Sequence, residues 1–387
     1  MSRLYFPISV LLAVAAVVGY RLYPLLFILG LNGRVLEPLG NTDCITVPAL
    51  PACEKIVLHA PTGVLYLACS SPESRAHWTP AINRLNASGP ADDDFLATYA
   101  PHTGAIVRLV IEPPLPGGLS VHGMDVVPSA DDPRELFIYA VNHRRPADAP
   151  DAASKIGADS TIEVFKTSVG SAVLTHLHTV RDPAIITPND IAGSSNGREF
   201  FFTNDHASKT SLLRHLAVLG LQAGSVGYCD VHTGCKIAIP SLQGANGIAR
   251  APNNDTIFVG SALHGGIYVL ERQADNALLK THTIATDRPL DNLSVDEEGV
   301  VWAATFPYGL TMLKHIVNAT LLSPASAHAV VRNTGPGSFY GEKFRVEKVF
   351  EDNGTVARGT TSVVHDAVRR RLFLHGISAP HLTVCAL

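Results

Sequence analysis

Asn189 to His206 reads NDIAGSSNGREFFFTNDH. A polar pair and a short apolar run lead into Ser-Ser-Asn-Gly, and the chain returns through Phe200, Phe201 and Phe202 to a second polar group. Two apolar runs joined by such a turn make a β-hairpin, because Asn and Gly accept the backbone angles of a tight reversal. Five other segments share this grammar: EKIVLHAPTGVLYLACS from Glu54, HGMDVVPSADDPRELFIYAVNH from His122, NGIARAPNNDTIFVGSALHG from Asn246, DNLSVDEEGVVWAATFPYG from Asp291 and TSVVHDAVRRRLFLHG from Thr361. Successive starts lie from 45 residues apart (Asn246 to Asp291) to 70 (Asp291 to Thr361). That leaves room for two further strands per repeat, such as GAIVRLVIE from Gly104 and STIEVFKTS from Ser160. Four strands repeated six times predict an all-β fold, a six-bladed β-propeller over residues 36–387, behind a separate N-terminal segment, 1–35.

The composition agrees. Of 387 residues, 46% are apolar and 17% charged, and 31 Gly with 26 Pro punctuate the chain throughout. Such a chain buries a core and is neither disordered nor a coiled coil. Thirty basic against 34 acidic residues leave a net charge of −4, which offers no sequence-wide basic surface for phosphate backbones and disfavours nucleic acid as a partner.

Leu4 to Tyr20, LYFPISVLLAVAAVVGY, is uncharged, and after Arg21 the apolar character continues to Leu31. About 20 helical residues span a bilayer, so this hydrophobic helix is expected to be an uncleaved signal anchor, with a cleaved signal peptide as the rival. Either places the rest of the chain in the secretory pathway, membrane-anchored with a lumenal or extracellular domain, or secreted. Six cysteines suit an oxidising compartment. Cys229 and Cys235 bracket a five-residue loop; Cys44 and Cys385 lie near the two ends of the folded part, where a bridge would clasp the ring; Cys53 and Cys69 sit on successive apolar runs. Six free thiols are the alternative. Asn86, Asn254, Asn318 and Asn353 begin glycosylation sequons, as does Asn292.

Equivalent positions of a propeller face one another across its axis. The first residues of the six hairpins are Glu54, His122, Asn189, Asn246, Asp291 and Thr361; the second are Lys55, Gly123, Asp190, Gly247, Asn292 and Ser362. A single Asn or Asp at a strand end is ordinarily a turn residue bonding its own backbone. Five oxygen-bearing side chains in register, Glu54, Asn189, Asn246, Asp291 and Asn292, instead point to a shared calcium site, since Ca²⁺ takes six to eight oxygen ligands in irregular geometry. Zn²⁺ is disfavoured because imidazole and thiolate are missing from that set. His122 and His143 bracket one hairpin and suit a general base with its partner, with His206 as the next repeat's counterpart of His143.

The ordered pieces SVHGMDVV, AVNH, TPNDI, FTNDH, ANGI, DNLSVD and the terminal NGTV and LTVCAL resemble the serum paraoxonase/arylesterase family over almost the whole chain after the anchor. The resemblance implies a six-bladed propeller with a catalytic calcium, a retained hydrophobic N-terminus, and hydrolysis of small-molecule lactones and aryl esters. By motif it assigns Glu54, Asn189, Asn246, Asp291 and Asn292 to the calcium, His122 and His143 to a catalytic dyad, and Cys44 with Cys385 to the ring-closing disulfide. Three departures stand out. The family has an acidic residue where this chain has Lys55, and uses it with the Asp of the NDI motif for a second, structural calcium. A Lys55–Asp190 salt bridge is expected in its place, and one ion instead of two. Phe306-Pro307-Tyr308-Gly309 replaces a His-Pro-Asn-Gly stretch and makes that wall less polar, and Cys53, Cys69, Cys229 and Cys235 are additional. The rival readings are a gluconolactonase or strictosidine-synthase-like propeller, and a non-catalytic propeller whose metal stiffens a protein-binding ring.

Overall fold

The computed structural model describes residues 2–31, 33–90, 94–211, 214, 217, 219–253, 255–263 and 265–387. Six sheets, antiparallel apart from one added strand in the second, form six blades. Their innermost strands are Cys53–His59, Val121–Pro128, Pro188–Gly193, Ala245–Arg250, Leu290–Val295 and Ser362–Asp366. Each packs against the next, and the last packs against the first, so the ring closes.

Phe200, Phe201 and Phe202 show why a strand here is apolar on both sides. All three are fully buried. Phe200 and Phe202 pack into the layer between the second and third blades, while Phe201 faces the layer between the third and fourth. Burial of one such ring contributes roughly 1.5 to 3 kcal/mol. Among the described residues six such layers, one between each pair of adjacent blades, make up the main core.

The sixth blade is completed from the other end of the chain. Cys44–Val47 pairs antiparallel with Leu382–Ala386, with Cys44 opposite Cys385, and a disulfide joins them. Cys53–Cys69 and Cys229–Cys235 are likewise bonded across adjacent strands. Three disulfides suit an extracellular or secretory-pathway protein.

The second blade departs from the four-strand expectation. GAIVRLVIE divides: Ala105–Arg108 finishes the first blade, and Val110–Glu112 adds a fifth, parallel strand to the second. Two short helices that the hairpin pattern does not announce, Pro72–His77 and Gly309–Val317, lie against each other. A helix also covers Ser2–Ile28. Among the described residues no helix is long and apolar enough to cross a membrane, so the fold lends the expected anchor no support. Asn86, Asn318 and Asn353 are exposed, Asn254 lies outside the described residues, and Asn292 is buried, which closes its sequon to a glycan in the folded chain.

Candidate metal and catalytic site

The predicted site residues sit at one end of the inner strands, where the ladders are broken. Register shifts fall between Cys53 and Lys55, Pro188 and Ile191, Ala245 and Ile248, and Leu290 and Leu293. In the second blade the shift, between Ala140 and Asn142, leaves His122 and Gly123 outside the paired positions. The residues skipped are therefore Glu54, His122, Asn189 with Asp190, Asn246 with Gly247, and Asp291 with Asn292. A bulge releases a residue from strict alternation and re-aims its side chain. Two consecutive residues of one strand thereby both serve the site, as Asp291 and Asn292 do. The sixth blade pairs regularly from Ser362 onward.

Close approach of the strands demands glycine at two second positions. A Cβ on Gly123 would stand 2.3 Å from the Asn189 carbonyl oxygen, and one on Gly247 would stand 2.5 Å from the Asp291 carbonyl oxygen.

Hydrogen bonds run from blade to blade. Asn292 Nδ2 donates to Glu54 Oε1 at 3.0 Å, the Thr361 hydroxyl donates to Glu54 Oε2 at 2.7 Å, and His122 Nε2 lies 4.0 Å from Glu54 Oε1. Asn189 Nδ2 approaches His122 Nε2 to 3.4 Å, and the Asn246 side chain bonds to Asp291. Glu54, Asn189 and Asn292 are buried; Asn246 and Asp291 are half-buried.

Three oxygens are left over, one of them Asp190 Oδ1 beside Lys55. Asn189 Oδ1 and Asn246 Oδ1 are buried and accept no hydrogen bond. Beside them burial raises the Glu54 carboxyl to about 7, although Thr361 and Asn292 partly counter it. Asp291 is pushed well above the usual carboxylate range by burial, then by the charges of Glu54 and Asp190. Unpartnered amide oxygens beside carboxylates that repel each other are what a hard cation relieves, and the donor set fits calcium. The Asn292 oxygen is turned elsewhere, toward Lys55 Nζ at 3.5 Å.

Lys55 and Asp190 meet at 2.5 Å, both buried, and Lys55 Nζ also donates to the Leu293 carbonyl at 3.2 Å. Asp190 Oδ2 takes a second bond from the Ile248 N–H at 2.9 Å. An ammonium thus stands against the Asp of the NDI motif.

The two histidine rings lie 5.3 Å apart. His143 Nδ1 pairs with the Ser160 hydroxyl at 2.9 Å, and Trp78 Nε1 donates to the His143 carbonyl at 2.7 Å, fixing the strand end. Burial keeps both imidazoles neutral: it lowers His143 to about 3, helped by the charges of Arg75, Lys209 and Arg214, and takes His122 well below its ordinary value. His122 Nδ1 and His143 Nε2 are buried without hydrogen-bond partners. His206 is half-buried and its backbone clasps Thr187.

Arg75 and Asp94 bracket the residue before His122 and went unread in the sequence. Arg75 Nη1 donates to the Val121 carbonyl at 2.7 Å, and the Val121 N–H donates to Asp94 Oδ2 at 2.8 Å. A signal for Arg75 exists in Ser71-Pro72, since Ser71 caps the helix that carries it by accepting the Ser74 N–H at 3.1 Å. Phe306 is buried with Met312, Ile316 and Ile377, so the Phe-Pro-Tyr-Gly segment is apolar at its start.

The sequence model of the family described as Arylesterase matches residues 117–387. Serum paraoxonase/arylesterase 2 of Gallus gallus is 28% identical over 253 residues, covering 65% of this chain and 65% of that protein. Serum paraoxonase/arylesterase 1 of Homo sapiens is 28% identical over 242 residues, covering 62% and 61%. These matches span just under two thirds of the relatives' own length. Among solved structures a luciferin-regenerating enzyme superposes with a TM-score of 0.51 at 13% identity, covering 91% of this chain and 95% of that one, a likeness of fold.

Proposed function

The chain belongs to the Arylesterase family, and on that premise we propose that it is a calcium-dependent hydrolase of lactones and aryl esters. One observation carries the reading: the buried, unpartnered oxygens of Asn189 and Asn246 stand in the same bulged ring as the carboxylates of Glu54 and Asp291. These four side chains, with Asn292 orienting Glu54, would hold the ion. A bound calcium supplies polarisation of the substrate carbonyl and offsets charge developing on its oxygen.

The protein's own part is proton handling beside that ring. His122 is neutral; in the tautomer that carries its proton on Nε2, facing Glu54 Oε1, its unpartnered Nδ1 accepts a proton from the attacking water, which requires the Asn189 amide nitrogen to turn away from Nε2. Glu54 Oε1, 4.0 Å from His122 Nε2, stabilises the imidazolium formed. His143, fixed by Ser160 and Trp78, offers its unpartnered Nε2 as the next proton site. Lys55 takes the place of a second ion by neutralising Asp190, so one calcium binds per chain. Retention on a membrane through Ser2–Ile28 is also part of the proposal, resting on the uncharged stretch from Leu4 to Tyr20, and carbonate extraction of the full chain tests it.

The deciding experiment assays aliphatic lactones and phenyl acetate with and without a calcium chelator, alongside metal analysis. Calcium-dependent turnover with one ion per chain is expected; two tightly held ions would refute the single-ion reading, and chelator-sensitive stability without turnover would leave a binding propeller. His122→Gln is expected to lower turnover roughly 10²-fold or more with calcium retained, and unchanged lactone hydrolysis removes that histidine from the mechanism.

A further inference from the structure

Beyond the polar ring the inner strands continue, and their downstream halves line a cavity of about 320 Å³ to which all six blades contribute. That lies within the size range of small-molecule sites. Its wall is largely aliphatic, with Val57, Val127, Ile191, Val295 and Val364 from five blades.

The charged groups around it decide what it would hold. Lys55 is taken by Asp190. Asp125 accepts the Gly193 N–H at 2.8 Å on one oxygen and the Val126 N–H at 2.9 Å on the other. His365 Nδ1 is paired with Asp296 at 2.9 Å, and Glu297 is exposed at the edge. Arg250 differs. Among the described residues its guanidinium makes one hydrogen bond, from Nη2 to the Ala192 carbonyl at 3.5 Å, and its buried Nε has no partner. It lies 5.7 Å from the centre of the Phe201 ring. Arg272, at the same distance from that ring, has Glu199 at 3.6 Å, whereas among the described residues Arg250 has no carboxylate within ion-pair distance and feels Asp125 and Glu199 only from farther off. A guanidinium carries five donors in a planar fork suited to a carboxylate, and here Nε is the buried donor left unpaired.

We propose that this far mouth binds a small carboxylate with an aliphatic tail, its carboxylate on Arg250 and its tail along Val57, Val127 and Val364. A cavity of about 320 Å³ lies at the lower end of small-molecule sites, which suits a short acyl chain such as that of octanoate. The site is separate from the hydrolytic ring and stands whether or not the chain turns over esters.

Isothermal titration calorimetry of the full chain in calcium-containing buffer tests it, with octanoate as the probe, acetate as charge without tail and octanol as tail without charge. One octanoate per chain is expected, with acetate and octanol each at least tenfold weaker. Arg250→Gln is expected to weaken octanoate at least tenfold, and Val57→Phe, which fills the cavity from a half-exposed position, to abolish binding. No octanoate binding by the wild type, or octanoate bound equally by Val57→Phe and Arg250→Gln, overturns the proposal; if Arg250→Gln fails to fold, Val57→Phe decides alone.

Discussion

The two ends of the six inner strands share one backbone and differ in chemistry. At the upstream end five ladders bulge, amides and carboxylates crowd together, and the cavity touching His143 measures about 10 Å³, room for one water. At the downstream end pairing is regular, as in Ile56 opposite Leu67 and Val57 opposite Tyr66, the wall is aliphatic, and about 320 Å³ stands open. A regular strand sends alternate residues to its two neighbouring layers and has little to spare for the axis. Giving up a few ladder bonds frees two adjacent residues to face the same way, and that is where the polar chemistry collects.

Four experiments sharpen or break this contrast. Lys55→Met leaves Asp190 as an unpaired buried charge at the upstream end and is expected to cost about 3 to 5 kcal/mol in urea unfolding, with Asp190→Asn restoring much of it. A loss below about 1 kcal/mol would mean that water or an ion takes over the lysine's place. Glu54→Gln is expected to lower turnover about 100-fold or more and weaken metal binding, while raising the unfolding midpoint of the metal-free chain, because a carboxyl destabilised by burial becomes neutral. If metal-free stability falls instead, Glu54 holds the ring by its hydrogen bonds alone.

Acid gives an effect of intermediate size. His375, whose Nε2 pairs with the Leu50 carbonyl and whose Nδ1 accepts the Gly376 N–H, is lowered by burial to about 4. The unfolded chain takes up its proton near pH 6.5 and the folded chain only near 4, so the stability His375 contributes is full above 6.5 and lost as pH falls toward 4. Going from pH 7 to 5 should remove about 2 kcal/mol through this group, and His375→Gln should flatten the slope; an unchanged slope would place the acid sensitivity elsewhere. The smallest effect belongs to the downstream end. Val127→Ala, half-buried beside the open cavity, should cost less than about 1 kcal/mol, whereas the same truncation at fully buried Leu67 should cost about 2 to 5.

Much of this was legible in the residues. The six hairpins are local signals: an apolar run, a turn and a second run within about twenty residues, and each inner strand begins within one residue of its expected start. The first-ring residues followed because repeats superpose. What local patterning does not encode is orientation. Asn292 was expected to offer its oxygen to an ion, yet that oxygen faces Lys55 while its amide nitrogen serves Glu54. Thr361, the apparent exception in the ring, proves to be a donor to Glu54. Arg75 and Arg250 act on residues far away in the chain, and no spacing rule connects Arg75 with Val121 or Arg250 with Ala192. The parallel strand Val110–Glu112 was hidden for the same reason, since its partner is Val173–Val180.

The closure of the sixth blade has a consequence for synthesis. Cys44 and Cys385 are 341 residues apart, so the strand Cys44–Val47 has no partner until nearly the whole chain has been made. At about 5 to 20 residues per second that is a wait of roughly 17 to 70 seconds. Throughout it Cys44 lacks its native partner and stands nine residues from Cys53, whose own partner Cys69 follows within 16 residues. Early bonding of Cys53 to Cys69 would remove the nearest wrong partner and keep the first cysteine of the ring available for the last.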